Sequence, residues 1–176
     1  RAIDGVRICA DVLRTEAGEM VPMEATPAGA GRIAFTFHEP VGVVAAVSAF
    51  NHPLNLIVHQ VCAAVAAGCP VIVKPAADTP LSCHTLVTLL HEAGLPDAWC
   101  QCLVTDDNAV AEALVTDARV GFFSFIGSAR VGWMLRSKLA PGTRCALEHG
   151  GAAPLVLAAD GDPALAVPAI LKGGFY

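Results

Sequence analysis

Charge is scarce in this chain. Asp, Glu, Lys and Arg make up 15% of its 176 residues, the formal net charge is −5, and the basic residues form no cluster. Nucleic acids are held by clustered Lys and Arg, so no nucleic acid is expected as a partner. Long apolar runs are missing too. The longest stretches, 41–50 and 61–73, are short or broken by Gly68 and Pro70, whereas a bilayer span needs about 20 apolar residues. No membrane segment is expected. No charged-then-apolar leader opens the chain either; Arg1 enters directly into a helical pattern. Seven cysteines occur (Cys9, Cys62, Cys69, Cys83, Cys100, Cys102 and Cys145), but in odd number and at irregular spacing. That suits reduced, buried thiols of a cytoplasmic protein better than a disulfide framework. Cys100-x-Cys102 has no second pair at zinc-ligand spacing, so no metal is expected. No G-x-G-x-x-G follows any strand-like run, and no repeat or low-complexity linker interrupts the chain.

What is present is an apolar chain, 55% hydrophobic, long enough for one domain with a core that stands without disulfides. Strand-like and helix-like segments alternate from about Val43. Val43–Val47 is a β-branched and alanine run, and Pro53–Ala67 follows as a helix apolar almost all round, ending at Gly68. Val71–Val73 is a short strand. Thr79-Pro80 reads as N-cap and first helical position, and Cys83, Leu86, Val87 and Leu90 form the i, i+3, i+4, i+7 stripe of a helix closed by Gly94 and Pro96. Trp99–Val104 is strand. Asp107–Val115 is helix with Val110, Ala111 and Leu114 inward, and Gly121–Ile126 is strand again. Ser128–Leu139 is helix with Val131, Met134, Leu135 and Leu139 on one face, and Arg144–Leu147 is a fifth strand. Five strands joined by four helices and short links predict a doubly wound α/β domain with a parallel sheet. Met20–Ala25 and Arg32–His38 are expected to pair as a hairpin around Gly29-Ala30-Gly31. Pro154–Ala158 is expected as a further strand, and Asp162-Pro163 caps a last helix.

Ligands of open parallel sheets sit at the carboxyl ends of the strands. The polar residues stranded there are Asn51, Lys74, Gly127-Ser128 and Glu148. Lys74 can meet ribose hydroxyls or a phosphate, or merely snorkel out of a strand end. Ser128 opens a helix whose free N–H groups suit a pyrophosphate, or it is an ordinary N-cap serine. Asn51 can donate its amide to an oxyanion or cap a helix. Glu148 precedes Gly150-Gly151 and is either a general base or a solvated acid on a turn. His52, Asn55 and His59 share one face of the apolar helix, fit either to bind an anionic or hydroxylated substrate or to form its wet face.

Five segments then resemble one family in order. They are His38-Glu39-Pro40-Val41-Gly42-Val43, Phe50-Asn51-His52-Pro53-Leu54, Val73-Lys74-Pro75 with Thr79-Pro80, Phe125-Ile126-Gly127-Ser128, and Leu147-Glu148-His149-Gly150-Gly151. Together they resemble the aldehyde dehydrogenase superfamily, with a feel of its lactaldehyde, phosphonoacetaldehyde and non-phosphorylating glyceraldehyde-phosphate members. The resemblance implies oxidation of an aldehyde to an acid with NAD or NADP, through a cysteine thiohemiacetal and thioester. By that resemblance Asn51 holds the oxyanion and Glu148 activates the hydrolytic water. Val47, Phe50, Lys74, Ala77, Gly127, Ser128 and Val131 meet the cofactor, and His52 and His59 the substrate, expected to be a small polar or anionic aldehyde. Residues 1–148 become a partial cofactor domain, with the 20–38 hairpin as the arm of a homo-oligomer, and 149–176 the start of a catalytic domain. The nucleophilic cysteine is expected a few tens of residues beyond Glu148, so an isolated 1–176 polypeptide is expected to be inactive. Cys145 is read as a core thiol, because residues three apart in a strand face opposite ways. Three positions depart from the pattern: Ile126 replaces a threonine, Asp106 a glycine, and Ala77 the glutamate that binds ribose hydroxyls. The alternatives are an acylating or phosphate-forming relative, which Glu148 opposes, and a non-catalytic nucleotide-binding or assembly fragment.

Overall fold

The computed structural model describes residues 1–175. It begins with an amphipathic helix, α1 (Ala2–Thr15), and an antiparallel ribbon, β1 (Met20–Val21) and β2 (Ala34–Phe35). Strands and helices then alternate as β3 (Val43–Val47), α2 (Pro53–Ala66), β4 (Val71–Lys74), α3 (Leu81–Glu92), β5 (Cys100–Cys102), α4 (Asn108–Thr116), β6 (Val120–Ile126), α5 (Ala129–Arg136) and β7 (Arg144–Glu148). A last helix, α6 (Pro163–Phe175), follows.

β3 to β7 form one parallel sheet in the order β5-β4-β3-β6-β7. The chain winds outward from β3 in one direction and then from β6 in the other. The order therefore reverses between β3 and β6, and the carboxyl edge at that reversal is the natural ligand crevice of such sheets. Side-chain alternation gives each face its own core. Val44, Ala46, Val71 and Val73 pack under α2 and α3 against Ile57, Val61, Cys83 and Val87. Ala45, Phe123 and Phe125 pack under α4 and α5 against Val115 and Leu135. Cover on both faces is why the inner strands read as unbroken apolar runs. The doubly wound α/β architecture is the one the alternation predicts.

Several local expectations change. The hairpin forms, but its strands pair over only two residues each, and Met23–Ala25 and Pro27–Gly29 coil into 3₁₀ turns between them. Thr79 does not cap α3. Pro80 occupies that position, and the Thr79 hydroxyl is buried without a partner. The inward stripe of α4 centres on Leu114 and Val115, which turns Val110 out. Met134 is largely exposed rather than in the core. Residues 154–158 form no strand and lie exposed, with Val156 88% accessible; a β-prone run becomes a strand only where an edge pairs with its backbone.

Candidate functional site

β3 and β6 deliver their last residues to the reversal point, and the two faces differ there. On the α4/α5 face, Val47 from β3, Lys74 from β4, Asn108 and Glu112 from α4, and Arg130 and Val131 from α5 line a cavity of about 290 Å³. Alternation along β4 turns Ile72 and Lys74 to this side while Val71 and Val73 enter the opposite core. Lys74 donates from Nζ to the Pro75 carbonyl at 3.2 Å. Glu112 is claimed by Lys138 at 2.7 Å. Among the described residues Lys74 and Arg130 have no carboxylate in ion-pair reach, so the cavity carries two uncompensated cations.

The turn that closes this cavity needs glycine. A Cβ on Gly127 would stand 2.7 Å from the ring of Phe125, itself buried. Gly127 donates its N–H to the Glu148 carbonyl at 3.0 Å, tying the turn to β7. Ser128 is the N-cap of α5, its Oγ accepting from the Val131 N–H at 3.4 Å. The N–H groups of Ala129 and Arg130, with the positive end of the helix dipole, remain for a ligand. Next door, Gly132 makes room for His149, which lies edge-on to Trp133 and Phe125 with ring centroids 5.6 and 6.0 Å away.

On the α2/α3 face, no helix among the described residues covers β7. His59 and Gln60 of α2, Phe122 and Ser124 of β6, and Ala146 and Glu148 of β7 border a trough of about 320 Å³. Glu148 is exposed on its wall. Asn55 donates Nδ2–H to Nε2 of His59 at 3.2 Å, which leaves the opposite ring nitrogen, Nδ1, as the free donor. Gln60 is buried and lies within hydrogen-bond distance of the Val47 carbonyl at 3.2 Å, the Ser124 carbonyl at 3.1 Å and the Ser124 hydroxyl at 3.0 Å. It pins β3 to β6 where the crevice opens.

The structure thus brings Val47, Lys74 and Val131 to one cavity and His59 and Glu148 to the other, with Gly127 and Ser128 between. Phe50 and Asn51 are exposed on the loop from β3 to α2, and Asn51 is not a helix cap: His52 holds that position, without a side-chain bond. His52 lines neither cavity, and Ala77 lies exposed in the turn after β4, outside the cavity lining. Cys145 packs with Leu147 on the α4/α5 face, opposite Glu148. Among the described residues no cluster of three metal-ligating groups forms, and no helix is long and apolar enough to cross a membrane.

The aldehyde dehydrogenase family matches residues 1–176. The chain belongs to that family. It is 39% identical over 175 residues to the 3-sulfolactaldehyde dehydrogenase of Priestia aryabhattai, covering 99% of this chain and 36% of that protein. It superposes with a TM-score of 0.91 at 31% identity on the NADP-dependent glyceraldehyde-3-phosphate dehydrogenase of Bacillus halodurans, solved with NADP, covering 99% of this chain and 37% of that one. On the Mycobacterium tuberculosis aldehyde dehydrogenase solved with NAD+ the TM-score is 0.87 at 30% identity, covering 98% and 35%. The chain spans about a third of the length of the relatives it matches.

Within this aldehyde dehydrogenase sequence, two site residues escape motif reading. Arg130 is one of several arginines on a helix surface, and nothing local marks it as the second cation beside Lys74. Gln60 did leave a signal: it falls on the buried stripe Ile57, Val61, Ala64 at helical spacing. A polar residue on an apolar stripe must find buried partners.

Proposed function

We propose that the protein carrying these residues oxidises a small polar or anionic aldehyde to the carboxylic acid with NAD or NADP. One observation carries this reading. A cationic cavity and a trough walled by a carboxylate and an imidazole flank the same strand ends, joined by the Gly127–Glu148 backbone bond. The residues fit the dinucleotide. Gly127 sets the turn against the Phe125 ring with no room for a Cβ, first-turn N–H groups of α5 suit a pyrophosphate, and Lys74 and Val47 reach the adjoining cavity. Val131 lines the same cavity, and Phe50, on the loop after β3, is assigned to the cofactor by the family resemblance alone. Bound there, NAD or NADP supplies a hydride acceptor. Asn51 donates its amide to the oxyanion formed when a thiol adds to the aldehyde. Glu148 takes a proton from the water that hydrolyses the thioester, the step that sets this reading apart from an acylating relative. The thiol comes from a cysteine other than Cys145, which faces away from Glu148.

Residues 1–148 act as cofactor-binding domain, with 20–38 as an oligomerisation arm of a homo-oligomer, and 149–176 lead into the catalytic domain. Acceptance of NADP is favoured by Ala77, which puts no carboxylate beside the ribose, and by the unpaired Lys74 and Arg130. For the substrate, His59 offers a donor beside Glu148, and the relatives named for sulfolactaldehyde and glyceraldehyde-3-phosphate act on anionic aldehydes by name. The test is kcat/KM of the full-length protein for sulfo-, phosphono- and phosphorylated aldehydes and lactaldehyde against hexanal and benzaldehyde, repeated with His59→Leu. The polar set is expected to lead by about tenfold or more, and His59→Leu to narrow the gap, as loss of one charge-assisted hydrogen bond implies. Preference for hexanal, or a gap unmoved by His59→Leu, contradicts the substrate assignment.

A further inference from the structure

Two thiols at the sheet's free edge do nothing for the chemistry above. Cys102 ends β5, the edge strand, and Cys83 sits in the first turn of α3 above it, with the two sulfurs 3.5 Å apart in a thiol–thiol hydrogen bond. We propose that Cys83 and Cys102 are a modification site, closing to a reversible disulfide by exchange with a low-molecular-weight disulfide. A disulfide needs its sulfurs at about 2 Å, so the closure asks for a shift of about 1.5 Å between a helix start and an edge strand. Cys102 is partly exposed and Cys83 fully buried, which fixes the order of events. The Cys102 thiolate attacks one sulfur of the small disulfide and expels one thiolate. The Cys83 thiolate then attacks the Cys102 sulfur and expels the second. Two protein thiols are oxidised, one disulfide is reduced to two thiols, and the two protons pass to the departing thiolates.

The neighbours support that order. The thiol–thiol contact lowers the Cys102 thiol below its usual range and, with burial, raises that of Cys83. Cys62 and Cys100, by contrast, are pushed up to about 11, chiefly by burial, and make poor attacking groups. Val73 pairs with Cys102 in the sheet, so Lys74 stands one residue past the bond and the 75–80 link runs from it to α3. Closing the disulfide pins α3 to the edge strand and anchors both ends of the link that carries Ala77.

The experiment treats the reduced full-length protein with glutathione disulfide, blocks remaining thiols with iodoacetamide and maps the peptides by mass. The expected product is a Cys83–Cys102 cross-linked pair, lighter by two hydrogens and reversed by dithiothreitol. Cys102→Ser is expected to abolish it and leave Cys83 unmodified, while Cys100→Ser leaves it intact. The wild-type map decides by itself if a variant fails to fold. A lasting glutathione adduct on Cys102 beside free Cys83, a bond that maps to Cys100, or two unchanged thiols each overturn the proposal.

Discussion

One sheet carries two unlike faces. Under α4 and α5 the core is aromatic, with Phe123 and Phe125 at its centre, and the cavity above it is cationic. Under α2 and α3 the core is made of small β-branched side chains, alanines and thiols, and its trough is walled by Glu148 and His59. Nothing but the period of two separates these worlds: Leu147 belongs to one and Glu148 to the other. Lys74 ends β4 and Glu148 ends β7, so the two charges lie on opposite faces with β3 and β6 between their strands. Lys74 and Glu148 are held apart by fold topology rather than by distance along the chain.

Truncation of the buried core under either face should give the largest effects. Phe123 is fully buried, so Phe123→Ala should cost about 3–5 kcal/mol in urea unfolding. Ile57→Val, under α2, should cost about 1 kcal/mol. A loss under about 1 kcal/mol for Phe123→Ala would contradict its place at the centre of that core. A smaller effect is expected from Lys74→Ala, which removes a cation from one face only. It should lower kcat/KM with NADP by about tenfold to a hundredfold, as one charge-assisted contact implies, and change the NAD value less. A matching fall with both cofactors would place Lys74 on a group they share instead of on the 2′-phosphate.

The smallest effect concerns alkali. Cys62 is raised from 9.0 to about 11, first by burial and then by Cys9. A raised folded value stabilises the protein fully below the unfolded value and loses that contribution as pH climbs through the folded one. The Tm of the wild type should therefore fall more steeply between pH 9 and 11 than that of Cys62→Ala. Parallel curves would mean that the thiol stays wet.

Much of this was readable from the residues. The strands announced themselves because burial on both faces demands unbroken apolar runs, and Gly68 stopped α2 where expected. Position on the carboxyl edge picked out Lys74, Gly127 and Glu148 without any structure. What stayed hidden depends on partners distant in sequence. Leu155 and Val156 looked like strand but found no edge. Gln60 falls on an apolar stripe, and only the carbonyls of Val47 and Ser124 explain what its amide nitrogen meets there. Val110 looked inward, and only the packing of Leu114 and Val115 into the aromatic core fixes the rotation of α4 that turns it out.

The role of Glu148 is tested most directly by rapid mixing of full-length Glu148→Gln with aldehyde and NAD(P). A base that serves only the hydrolytic water should leave the first hydride transfer intact. The expected result is a burst of about one reduced cofactor per site, followed by steady turnover slowed about a hundredfold to ten-thousandfold. Unchanged steady turnover, or loss of the burst along with it, would contradict that role.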